Sequence, residues 1–414
     1  LERIAAVVIG AGQAGLSASH ELTDRGIEHV VLERGALGET WRNRVWRSFH
    51  IVSPNSLNLL PGYEYDGPDP DGFLDTCGLL AYLQGYAASF AAPIRKQSPV
   101  ADVRPADGGG FLVRAPQFAL HARHVIVATG AFGAAHKPAL AAGLPTSIGS
   151  LHTDDYWAPQ DLPPGGVLVV GSGQSGLQIA CELAKAGRDV TVAIGKHGWV
   201  PRRIYGRDQM RWRWDNRDYH AVVADPERPK ADYPFTFLAR WGVSDFNVRT
   251  VWQAGARLVG HVAGVDGMRI ALKRDLEPLL RAGDDVAREF IARIRDFART
   301  RGENVPEPDL ETHWRDHEIP IAPDVLDLAS AGIRTVIWST GYRQDFSWIL
   351  VPEVLAENGA PYQRQGVSQV PGIYFVGLHR MWEAGSGTLL GCGWAATNVA
   401  EHVATRLRAS GWKC

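Results

Sequence analysis

One stretch occurs twice in this chain, and it leaves few folds open. VVIGAGQAGLSASHELTDRG near the start and LVVGSGQSGLQIACELAKAG near the middle lie 161 positions apart. Each passes from a short apolar run through a G-x-G-x-x-G turn into a helical pattern that stops at a glycine. Gly10, Gly12 and Gly15 recur as Gly171, Gly173 and Gly176, and the closing Gly26 recurs as Gly187. In such a turn the first glycine permits the tight bend and the second lets a pyrophosphate reach the backbone. The third lets the helix pack closely on its strand. The phosphates then sit on the free N–H groups and positive dipole end of the helix, which in the second copy begins with Gln174 and Ser175. A single turn of this kind is weak evidence. Two in register, each inside a strand-turn-helix-strand pattern, predict an α/β fold with two Rossmann-like dinucleotide-binding domains.

The residue 18 positions past the last glycine separates the two ligands, because there the second strand ends against the adenosine ribose. In the first copy it is Glu33, followed by Arg34, and a carboxylate there accepts hydrogen bonds from both ribose hydroxyls. An unphosphorylated ribose, as in FAD or NAD, is expected. In the second copy the position is Ile194, with Lys196, His197, Arg202 and Arg203 close behind. Without a carboxylate to repel it, and with cations near, a 2′-phosphate is accepted, so the second site reads as one for NADPH. The same cations also suit a solvated loop, above all Arg202 and Arg203.

The formal net charge of −2 over 414 residues offers no broad basic field for nucleic acid. No run approaches the roughly 18 apolar residues that span a bilayer, and no cleaved leader is legible before the first strand. The four cysteines, Cys77, Cys181, Cys392 and Cys414, are dispersed and form no C-x-x-C pair. A reducing, cytoplasmic setting is expected, without dithiol chemistry. No metal site is expected, and a homodimer is compatible with the sequence.

Taken in order, residues 4–33 form the first unit, and a long aromatic and basic loop follows. Gly38, Trp41 and Arg42 lie where that loop could cover a bound dinucleotide, although Trp41 would serve equally as a packing aromatic. Residues 76–90 carry apolar residues at helical spacing; 99–104 and 111–114 read as strands about a DGGG turn. The strand HVIVAT with Ala128, Thr129 and Gly130 closes the first domain, and a Pro/Gly-rich linker leads to the second unit at 167–194. Residues 205–250, with Trp212, Trp214 and Trp241, show no clean period. ARLVGHVAGVDGMRIALK suggests two strands joined around Asp266 and Gly267, and DDVAREFIARIRDFARTRG an amphipathic helix. IRTVIWSTGY repeats the strand-to-Thr-Gly design at Thr340, Gly341 and Tyr342, and a final strand and helix end the chain. The first domain is therefore expected over 1–155 and 329–414, with the second, 156–328, inserted into it.

On VVIGAGQAGL with Glu33, GETWR, VIVATG, LHTDDYW, VVGSGQSGLQIA, VIWSTGY and YFVGL, the chain resembles the class B flavin-dependent monooxygenases, in particular their bacterial flavin-containing monooxygenase-like branch. The resemblance implies an FAD in the discontinuous domain and NADPH in the inserted one. It implies that the flavin, once reduced by NADPH, captures oxygen as a C4a-hydroperoxide and oxygenates a small organic substrate at nitrogen or sulfur, or a ketone by Baeyer–Villiger insertion. It further implies a last helix aimed at the pyrimidine end of the isoalloxazine and an Asn near the flavin, which Asn55 of SPNSLNLL matches. A turn-forming Asn after Pro54 is the competing reading. The family fingerprint F-x-G-x-x-x-H-x-x-x-Y departs here: SIGSLHTDDYW keeps His152 and Tyr156, lacks the Phe and has Gly149 one position late. His152 is expected to organise the linker. Two other classes fit the nucleotide motifs: a reductase of a quinone or other carrier without oxygen insertion, and a non-enzymic redox-sensing flavoprotein.

Overall fold

The computed structural model describes residues 1–220, 247–306, 314, 319, 321–378, 381 and 383–409, with only the backbone at Tyr219. Trp241 and Cys414 lie outside the described residues. Two sheets carry the two glycine turns. The first contains Glu2–Ile9 in parallel between His29–Leu32 and Phe118–Val127, with Ile94–Arg95 beyond the former and Ile373–Phe375 beyond the latter. The hairpin Asp102–Pro105 with Phe111–Ala115 is attached antiparallel to the early part of Phe118–Val127. The second sheet has five parallel strands in the order Gly149–His152, Ile333–Trp338, Gly166–Val170, Val190–Ala193, Arg257–Val259.

The central strands read as near-continuous apolar runs because helices or other strands cover both of their faces. Ala5, Ala6 and Val8 pack with the helices Gln13–Asp24, Thr76–Ser89 and Cys392–Ala409, while Ile4, Val7 and Ile9 pack on the opposite side with Val103, Phe111 and Phe346. Both glycine-turn helices, Gln13–Asp24 and Gln174–Lys185, end as their sequences demand. Gly26 and Gly187 stand at φ of +65° and +77°, a conformation that costs glycine nothing.

The boundaries read from the sequence shift in one respect. Ile333–Trp338 pairs with Gly149–His152 on one side and with Gly166–Val170 on the other, so both of the former belong to the second sheet; the expected breaks at 155/156 and 328/329 each cut a strand away from it. The reason is the duplication itself: Ile333–Trp338 stands to the second glycine turn as Phe118–Val127 stands to the first. The return to the first domain comes later, where the Val103 N–H donates to Trp348 O (3.0 Å) and Phe346 and Ile349 enter its core. The expected amphipathic helix is also longer, Leu276–Thr300, with Phe290, Ile291 and Ile294 buried against Val200, Ile204 and Trp212. Part of the unassigned segment is the helix Gln209–Asp215, whose first turn is capped by Asp208 accepting from the Met210 N–H at 2.8 Å.

Where the chain crosses between domains, the outgoing Ala134–Ala135 and the returning Tyr342–Arg343 pair antiparallel. Asp154 ties this crossing to the first domain: Arg44 donates to its Oδ2 at 2.7 Å, and the Tyr342 hydroxyl donates to its Oδ1. His152, 1 % exposed, faces the Gly341 carbonyl through Nε2 at 3.0 Å, so Nε2 carries the proton and Nδ1 accepts from the Asp154 N–H at 3.2 Å. It is a linker residue. Glu182 makes a second tie, accepting from Ser48 and Tyr156 at 2.8 Å each. A buried hydrogen bond to a carboxylate contributes about 1.5–3 kcal/mol. Tyr156→Phe is expected to lose that amount, seen as a lower thermal unfolding midpoint; an unchanged midpoint would show that the bond contributes nothing net.

Candidate active site

The two turns are built alike to the level of single hydrogen bonds. Gly10 N donates to Leu32 O at 2.8 Å and Ala128 N to Ile9 O at 2.9 Å; Gly171 N donates to Ala193 O at 3.0 Å and Ser339 N to Val170 O at 2.8 Å. At φ of +109° and +115°, Gly10 and Gly171 turn so closely over the neighbouring strand that a Cβ on either would strike a carbonyl, that of Ala128 or that of Ser339. A Cβ on Gly15 or Gly176 would strike the carbonyl of the turn's own first glycine. Gly12 and Gly173, by contrast, have nothing within 4 Å of a Cβ position, and neither helix start has a side-chain cap. These are the open cradles and free donors that a pyrophosphate requires. In the second cradle the side-chain amide of Gln174 is buried with neither Nε2 nor Oε1 partnered, a polar group awaiting a ligand.

Around the first turn the expected residues converge. The Glu33 carboxylate, 6 % exposed, accepts from the Ala11 N–H at 2.7 Å and the Gly35 N–H at 3.1 Å, which fixes it at the lip of the turn. Gly38, at φ +70°, donates to Ala11 O, and the Trp41 indole donates to Gln13 Oε1 at 3.2 Å, so Trp41 lies over the start of the helix. Arg34, Arg42 and Thr129 are exposed at the rim, beside Gly130. The last helix joins them: Cys392 Sγ lies 3.5 Å from Ser17 Oγ, and a Cβ on Gly393 would touch the Pro61 ring at 3.0 Å. Burial pushes the Cys392 thiol up to about 11, so it is no nucleophile at neutral pH.

Around the second turn the outcome is mixed. Ile194 is fully buried and Lys196, two residues on, is exposed; Arg203 is exposed in the separate hairpin Arg203–Ile204 with Arg207–Asp208. His197 is not available as a cation: it is 5 % exposed, its Nδ1 lies 3.1 Å from Gly195 O, and its ring abuts Gly283 of the long helix. Burial pushes it down to about 4. Arg202 is spent elsewhere too, donating to Val52 O at 2.8 Å, pairing with Asp208 and stacking 4.3 Å over Phe73. Thr340, Gly341 and Tyr342 bond to His136, His152 and Asp154 and so hold the crossing between domains. Under Gly171 the contact belongs to Ser339, which aligning STG with ATG would have found.

Asn55 is 3 % exposed. Its Nδ2 donates to Asp69 O at 2.8 Å, its Oδ1 meets Asn58 Nδ2 at 3.5 Å, and its own N–H donates to Gly72 O. These bonds tie Asn55 into the loop 53–72. Residues with no sequence signal also stand at the site's edges: Arg44 and Asp154 at the crossing, and His261 with Asp275 beside the second turn, 2.7 Å apart.

A family model described as pyridine nucleotide-disulphide oxidoreductase matches residues 7–205, which takes in both turns. An uncharacterized CzcO-like oxidoreductase of Geobacillus kaustophilus is 28 % identical over 94 % of each chain. Indole-3-pyruvate monooxygenase YUCCA1 of Oryza sativa subsp. japonica is 27 % identical over 96 % of this chain and 91 % of its own. The solved flavin-containing monooxygenase of Stenotrophomonas maltophilia superposes with a TM-score of 0.65 at 21 % identity, covering 98 % and 99 % of the two chains. By whole-length relatives and by fold, the chain is similar to flavin-dependent monooxygenases and to oxidoreductases that carry the same two turns.

Proposed function

We propose that this protein holds FAD at the first turn and NADPH at the second, and that it oxygenates a small organic substrate at nitrogen or sulfur, or a ketone by Baeyer–Villiger insertion. The observation that carries this reading is the contrast between the two turns: Glu33 is fixed at the lip of one, and Ile194 with exposed Lys196 occupies the same place in the other. An FAD held there would supply hydride acceptance from a nicotinamide and electron delivery to oxygen. The chain's own part is to bind and to exclude water. Gly12 and the first helix start receive one pyrophosphate, Glu33 its ribose, and Gly173 with Gln174 the other pyrophosphate. Leu57, Met210 and Leu390, flanked by Trp214 and Trp394, gather the 53–72 loop, the helix Gln209–Asp215 and the approach to the last helix into one buried apolar cluster. A reductase of a quinone or other carrier fits the same turns; a dithiol reductase would need paired cysteines, and among the described residues Cys181 and Cys392 are buried and Cys77 is exposed, all three free.

Mixing anaerobically NADPH-reduced protein with oxygen and a sulfide, amine or ketone tests the reading: about one product per NADPH is expected. Reoxidation without product at every substrate class would leave the reductase. Gly15→Ala is expected to yield colourless protein, whereas Gly176→Ala stays yellow but is no longer bleached by NADPH, since each methyl closes one turn only. Asn55→Ala is expected to lower FAD occupancy while the folded fraction keeps its ratio of product to hydrogen peroxide. A fall of roughly 10²–10³ in that ratio, the cost of losing a donor to the reacting oxygens, would return Asn55 to the reacting centre.

A further inference from the structure

Arg257–Val259 runs parallel to Val190–Ala193, so the residues leaving it, Gly260 and His261, emerge at the same edge as Gly195 and Lys196. His261 Nε2 lies 3.4 Å from where a Cβ on Gly195 would stand, and Ser172 Oγ of the glycine turn lies 4.0 Å from the same point. The ring is held. His261 Nδ1 is 2.7 Å from Asp275 Oδ2, and the His261 N–H donates to Asp275 Oδ1 at 3.0 Å. A carboxylate only accepts, so Nδ1 carries a proton and Nε2 is the end turned to the rim. The imidazole is 35 % exposed and open to solvent protons.

We propose that His261, oriented by Asp275, reads the 2′ position of the adenosine ribose at the second turn. Protonated, it donates from Nε2 to a 2′-phosphate; neutral, it accepts from a 2′-hydroxyl. The preference for a phosphorylated ribose is then set by pH, with Lys196 as a constant cation beside it. The proposal rests on the second turn being the NADPH site. Asp275, at the start of the long helix, is the charged group bonded to the ring, and the Lys273 backbone N–H donates to His261 O at 2.8 Å. Burial pushes the Asp275 carboxyl up, but its hydrogen bonds from His261 and the Lys273 charge outweigh this and hold it below the usual range, so it stays ionised.

The test is calorimetric titration of the oxidised, FAD-loaded protein with 2′,5′-ADP and with 5′-AMP between pH 5.5 and 8.5. The affinity ratio of the two is expected to fall about tenfold as the imidazole loses its proton, the worth of one charge-assisted hydrogen bond. The 2′-phosphate gains charge near pH 6, which alone would raise the ratio. In His261→Gln, and in His261→Asn as an independent variant, the fall should vanish, and 2′,5′-ADP should lose about tenfold in affinity at pH 5.5. A ring that merely braces the strand would lower both affinities together and leave the pH profile unchanged, which overturns the proposal. Lys196→Glu separates the two readings. If the wild type favours 2′,5′-ADP and Lys196→Glu abolishes this, but His261→Gln keeps the pH profile, only the role of His261 falls. If the wild type shows no such preference at any pH, the NADPH assignment falls with it.

Discussion

The absence of room for a single carbon atom, at four places, governs this molecule. Gly10 and Gly15 in one turn, and Gly171 and Gly176 in the other, leave no space for a Cβ against the carbonyls they face. Those contacts draw each helix onto its strand and set the neighbouring strand, through Ala128 or Ser339, directly beneath the bend. The helix start then stands clear of side chains, with Gly12 or Gly173 open above it. A close-packed interior transmits such a constraint, so the position of each cradle is fixed by backbone and not by any polar side chain.

That is also why the two domains were legible from the sequence alone. Glycine spacing and apolar runs are local signals, and both turns, both glycine stops, the Thr76–Ser89 helix and the hairpin about residues 106–110 follow from them. Glu33 was legible because its position is counted from the turn. What eluded the sequence depends on distant partners. His197 and Arg202 look like loop cations beside a phosphate site, yet one is covered by the Leu276–Thr300 helix and the other is drawn to Val52, Asp208 and Phe73 of separate segments. Asn55 matches a motif, but its partner lies 14 residues onward, at Asp69. No period or spacing announces such a bond.

The strand Ile333–Trp338 teaches the complementary lesson. A repeated pattern, Thr-Gly after an apolar strand, suggests the chain's return to its first domain, whereas duplication carries the pattern into the second. The same design therefore marks the same place in each unit, beneath its own glycine turn, and not the same domain twice. Polar ties between the units fall where the duplication has no counterpart: Arg44 with Asp154 and Tyr342, and Ser48 with Glu182 and Tyr156.

The pairing of Ala134–Ala135 with Tyr342–Arg343 bears on how such a chain assembles. Ile373–Phe375 must find Phe118–Val127 across a sequence gap typified by Tyr374 and His124, which are 250 residues apart. The entropy of closing a loop grows with the logarithm of its length, and shortening one of this size about tenfold saves roughly 2 kcal/mol. A second domain that has already folded, its two ends clasped by this small ribbon, presents itself to the rest as a short connection. Assembly then favours an order in which the middle of the chain completes itself first and the two outer pieces meet across it.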